Sequence, residues 1–143
     1  MSEHAVLNSN YLRHKIMNPD KDVIEKIHAM PNDGAPSKLV MHEFTLSLSP
    51  LKDLHGVTGK DVAKRLLDYG VMAPTLYFPM IVPECLMIEP TETESKEVLD
   101  EFAKRFVEVL QEDADVLHNA PVTTKVRRVD EVYAARNLSL IHI

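Results

Sequence analysis

The segment of residues 74–93, PTLYFPMIVPECLMIEPTET, limits what this chain can fold into more than any other stretch. Pro74, Pro79 and Pro83 fall within ten residues. Each fixes φ and removes a backbone donor, so no long strand or helix can run through them. What remains is a stiff, extended strip with two short strand candidates, residues 75–78 and 85–89. Tyr77 and Phe78 are presented on that strip, and Glu89, Thr91 and Glu92 follow as a polar cluster. These side chains read either as aromatics packed on a sheet followed by helix-capping groups, or as one preorganised wall of a pocket.

The flanking sequence is more regular. Residues 2–17 place Ala5, Leu12 and Ile16 at helical spacing. Residues 18–38 are polar and broken by Pro19, Asn32-Asp33-Gly34 and Pro36, which predicts a loop with one short helix over Val23 to His28. Residues 40–48 alternate, with Val40, His42, Phe44, Leu46 and Leu48 on one face and Met41, Glu43, Thr45 and Ser47 on the other, as a half-buried strand requires. Pro50 and Gly56 bracket a turn or short helical piece. Thr58 to Tyr69 reads as a helix capped by Thr58 and Asp61 and ended by Gly70. A second long helix is expected from a Thr91 cap, with Val98, Leu99, Phe102, Phe106, Val109 and Leu110 as its apolar stripe. After Glu112 the chain loosens, with an extended segment at Arg127-Arg128 and a short helix over Asp130 to Arg136. The sum is an α+β fold, a small and largely antiparallel sheet with helices packed on one face. The expected layout is a single domain over 1–143, with a linking helix (1–17), a loop (18–38), an α/β core (39–112) and a tail (113–143).

Composition excludes several function classes. A net charge of -6 disfavours nucleic acid and anionic membranes as partners. The longest apolar runs are too short for a membrane span. The N-terminus lacks a basic segment followed by an apolar one, and a single cysteine, Cys85, cannot form an internal disulfide, so a cytoplasmic setting is expected. No Gly-rich phosphate loop occurs, and the seven histidines include no i, i+4 pair, so no metal site is expected. Cys85 reads as a core residue, and Arg127-Arg128 as a solvated pair. His42 reads either as a hydrogen-bonded core or rim histidine or as a group reaching a neighbouring active site. An acid–base pair of His42 and Glu43 is disfavoured, because adjacent strand residues face opposite ways.

The strings AVLNSNYL, MHEFTLSLSPLK and KRLLDYGVMAPTLYFPMIVPECLMIEPTETESKEVLDEF resemble the C-terminal region of the glycine dehydrogenase (decarboxylating) family, the P-proteins of the glycine cleavage system, most of all subunit 2 of the two-subunit type. The tail string VRRVDEVYAAR resembles the same subunit. The spacer 18–38 is longer than the family's, and the ending NLSLIHI is atypical. The resemblance implies the small domain of an aspartate-aminotransferase-type pyridoxal-phosphate enzyme, with the large cofactor-binding domain and its Schiff-base lysine absent from these residues. It implies that no catalytic or cofactor-binding residue lies in this chain and that none of its lysines takes the Schiff-base role. The chain alone is therefore expected to bind no pyridoxal phosphate and to be inactive. The implied partners are the upstream cofactor-binding portion or partner subunit and the lipoylated H-protein, with self-association of the isolated chain. His42, Thr75, Tyr77 and Glu92 are expected to line the mouth of the glycine and lipoyl channel. The competing expectation is a non-catalytic binding or assembly module that kept the fold.

Overall fold

The computed structural model describes residues 3–32 and 38–138. Seven helices among these are α1 (Glu3–Met17), α2 (Lys21–Ile24), α3 (Ser49–His55), α4 (Gly59–Asp68), α5 (Lys96–Val109), α6 (Ala114–Asn119) and α7 (Glu131–Arg136). Three strands, β1 (Phe44–Ser47), β2 (Thr75–Leu76) and β3 (Cys85–Ile88), form an antiparallel sheet in the order β1-β3-β2.

Register decides which face of this sheet is dry. Phe44 pairs with Ile88, and Leu46 with Leu86, which in turn pairs with Leu76. These five side chains point one way into the core, where Leu46 and Leu86 are fully buried. The alternate row, Thr45, Met87 and Thr75 with Ser47 and Cys85, lies outside that core cluster. Leu12 and Ile16 of α1, Val62 and Leu66 of α4, Leu99 and Phe106 of α5 and Leu117 of α6 complete the core. It therefore draws on residues on both sides of the 39–112 span read from the sequence.

Three local expectations change. The strand expected over 40–48 is shorter, because its first residues bond elsewhere. The Asn10 amide donates to Val40 O and its carbonyl oxygen accepts from Val40 N–H, at 2.8 and 2.9 Å. Extending the same register would also set His42 opposite Pro90, which has no N–H to offer. His42 thus lies outside the ladder. The second long helix starts at Lys96 with Ser95 as its cap, not at Thr91. Asn8, buried on α1, donates to both Thr91 O and Glu94 O and holds residues 91–94 as a turn. Beyond Glu112 the chain does not simply loosen, since α6 buries Leu117 there.

The Arg127-Arg128 pair is exposed, as expected of a solvated pair, and also acts as a fastening. Arg127 donates to Asn119 O and Pro121 O, and Arg128 to Leu117 O and Ala120 O, carbonyls at and just beyond the end of α6. Arg128 also pairs with Asp61 at 2.6 Å. Asp61 completes the capping box, accepting from the Thr58 N–H and hydroxyl while its own N–H donates to Thr58 Oγ1. At the other end of α4, Gly70 takes φ 72°, which lets Val71 N–H reach back to Leu66 O. Asp68 accepts from Val122 N–H, Thr123 N–H and the Thr123 hydroxyl, each at 2.8 Å. Both ends of α4 thus bind the tail.

Burial alone would push the Asp61 carboxyl up, but the Thr58 hydrogen bonds and Arg128 outweigh it and hold the group below its ordinary value. The stabilisation is then fully present above the unfolded-state value of about 4 and disappears as pH falls through the folded value. Asp61→Asn is expected to lower unfolding free energy by about 2 kcal/mol at neutral pH. Urea titrations from pH 7 to pH 2 should show the gap between the two proteins closing in acid. A gap of constant size at every pH would contradict this role.

Candidate functional site

The richest concave feature is a groove of about 590 Å³ between the start of α5, the end of β3 and the Gly70–Thr75 connection. Its walls include the apolar Val71, Pro74, Met87 and Phe102, and its polar groups include Thr75, Glu89, Glu94 and Glu101. Val98, expected in the apolar stripe of α5, is 51% exposed and lies on this wall instead. The groove lies where α5 begins late and Asn8 fixes residues 91–94 as a turn.

The four candidate rim residues fall in different places. Thr75 is exposed on β2 and lines the groove. His42 is half-buried just before β1; its Nε2 lies 3.9 Å from Glu89 Oε1, and its Nδ1 is buried without a hydrogen-bond partner. The structure therefore brings Thr75 and Glu89 into one groove and sets His42 beside Glu89. Tyr77 has left the strand with φ 63°, its N–H bonded to Cys85 O. Glu92 is exposed in the turn before α5. Neither Tyr77 nor Glu92 lines the groove.

Sequence reasoning passed over Glu84, which organises the other end of the hairpin. Its carboxylate accepts from Gly59 N–H at 2.9 Å and pairs with Lys52. A glycine suits this close approach, since an added Cβ at Gly59 would lie 3.2 Å from Glu84 O. The available signal was an acidic residue beside Pro83 with no charged neighbour to explain it. Glu89 reads in the sequence only as part of a polar cluster, and its approach to His42 lies beyond the paired part of the strands.

Several chemistries do not fit these residues. The Cys85 thiol is buried, donates to Phe78 O, and is pushed up by burial, which disfavours the reactive thiolate. Among the described residues no group of three or more His, Cys, Asp or Glu could hold a metal ion. No helix among them is long and apolar enough to cross a membrane. None of the described lysines is buried, as a lysine tuned to attack a carbonyl would be. Lys52 is held up by its hydrogen bond to Glu84, and Lys96 by its hydrogen bond to Asp100, so both favour the ammonium form. The described residues thus do not fit a covalently held carbonyl cofactor.

The chain matches the family model described as glycine dehydrogenase, C-terminal domain, over residues 1–130. It is 46% identical over 145 residues to a probable glycine dehydrogenase (decarboxylating) subunit 2 of Thiobacillus denitrificans, covering 99% of this chain and 28% of that protein. Proteins of the same description from Coxiella burnetii and Chlorobium chlorochromatii are 47% and 48% identical over 143 residues, covering 98% of this chain and 27% of each relative. The chain thus spans little more than a quarter of the length of the curated relatives it matches. By these matches, and with an α+β fold built on a three-stranded antiparallel sheet, the chain belongs to the glycine dehydrogenase C-terminal domain family.

Proposed function

We propose that this chain supplies the C-terminal domain of a cytoplasmic decarboxylating glycine dehydrogenase and closes one side of its active-site entrance. The observation that carries this reading is the family match over residues 1–130 together with 46–48% identity to subunit 2 proteins. The reaction releases CO₂ from glycine and passes the aminomethyl group to the lipoyl arm of the H-protein. Pyridoxal phosphate, bound elsewhere in the longer protein, supplies the electron sink. The lysines described above do not fit that cofactor, so no chemical step is assigned to them. A partner subunit is implied by the description of the relatives as subunit 2.

Within this reading the chain's residues orient and enclose. Thr75 and Glu89 form a polar edge on an apolar groove, and His42 stands beside Glu89. His42 and Thr75, with Glu92 in the turn before α5, make a rim of hydrogen-bonding groups for glycine and the lipoyl arm, whereas Tyr77 stands at the other end of the hairpin, outside it. Residues 40–48 and 74–93 contain no arginine. A strong cationic clamp on the carboxylate would stabilise the ground state and be lost as CO₂ departs, so its absence suits a decarboxylation.

Glycine–bicarbonate CO₂ exchange tests the reading, with pyridoxal phosphate and lipoylated H-protein supplied. The hybrid to use replaces the matching segment of the Coxiella burnetii relative with this chain. The hybrid should exchange and the chain alone should not. His42→Ala, Thr75→Ala and Glu92→Gln should each slow exchange or weaken H-protein saturation about tenfold, on the order of 1.4 kcal/mol. A folded but inactive hybrid would favour a non-catalytic assembly module. An active hybrid indifferent to all three substitutions would remove the rim assignment.

A further inference from the structure

Residues 77–82, YFPMIV, contain no charged side chain and connect β2 to β3. Tyr77 and Phe78 are about half exposed, while Met80 is 84% and Ile81 90% exposed. Four large apolar or aromatic groups at one tip form the kind of patch that marks an interaction surface rather than ordinary scatter.

The tip is also held rigidly. Tyr77 at its start and Glu84 just beyond its end have φ values of 63° and 50°, conformations that residues other than glycine keep only where their surroundings fix them. The surroundings here are polar anchors at its base. Tyr77 N–H donates to Cys85 O, the Cys85 thiol to Phe78 O, the Ser47 hydroxyl to Pro83 O, and Leu48 N–H to Glu84 O. Glu84 in turn takes Gly59 N–H and Lys52. A loop free to move would fold its apolar groups onto the body of the domain. This one is braced at its base while Met80 and Ile81 stand in solvent.

We propose that the 77–82 tip is a docking wedge that seats in an apolar socket on the remainder of the same, longer polypeptide. The proposal rests on the family reading, because almost three quarters of each relative lies outside the matched segment. Covalent connection gives that remainder a high effective concentration, and a braced wedge loses little conformational freedom on docking. A second copy is the weaker occupant. A stable pair of proteins needs about 800 Å² from each partner, more than four side chains on one tip provide.

Met80 is its own reporter, since exposed methionine oxidises to the sulfoxide and a seated one is shielded. Peroxide oxidation of Met80, followed by mass spectrometry, is compared in the isolated chain and in the Coxiella burnetii hybrid, or in the chain mixed with the separately produced remainder if the hybrid is insoluble. Docking predicts oxidation about tenfold slower in the longer protein and a return to the isolated rate in Ile81→Asp. Equal rates in the two proteins would overturn the proposal. So would protection that grows with concentration of the isolated chain and is no greater in the hybrid, which would make a second copy the occupant. The exchange assay separates the two readings. Active hybrid with unprotected Met80 removes the wedge alone, whereas protected Met80 in an inactive hybrid keeps the wedge and removes the catalytic reading.

Discussion

The register that sets Phe44 against Ile88 and Leu46 against Leu86 governs the rest of the molecule. Strands of two to four residues cannot bury both faces of a sheet this narrow, so one face must gather the helices and the other must do something else. A slip of one residue would exchange the rows, putting Thr45 and Met87 in the core and Leu46 and Leu86 outside. The pairing sits in a frame of α1, α4 and α5, all of which contribute to the same apolar cluster. The groove and the apolar tip lie at opposite ends of the hairpin that the pairing creates.

Polar side chains then decide where each element stops. Asn10 takes over the backbone of Val40 and ends the strand; Asn8 takes over Thr91 and Glu94 and delays α5. Asp61 and Asp68 bind the two ends of α4 to the tail. On the face of α4, Arg65 makes a bidentate pair with Glu112, and Tyr69 donates to the same carboxylate. Such contacts are long-range in sequence, and each satisfies backbone or charged groups that would be costly to leave unpaired. They position the groove as directly as the apolar core does.

This division explains what could be read from the chain beforehand. The capped α4, the Gly70 stop, the short proline-bounded strands and the single apolar face all rest on local periodicity and backbone chemistry. The late start of α5, the shortened β1 and the tie of Arg128 to Asp61 rest on partners up to 86 residues away, which no window of sequence contains. The same holds for the groove. Thr75 enters as a site candidate only through the family resemblance, its meeting with Glu89 depends on register, and Glu84 gives no local sign of its anchoring role.

The domain packs its own core and leaves the apolar tip of its hairpin exposed. Amide hydrogen exchange, followed by mass spectrometry on the isolated chain and on the full-length hybrid, tests both halves at once. Amides of β1, β3 and α4 should be equally protected in the two proteins, while residues 77–84 gain protection only in the hybrid. Rapid exchange of β1 and β3 in the isolated chain would contradict the self-sufficient core. Unchanged exchange at 77–84 would contradict docking of the tip.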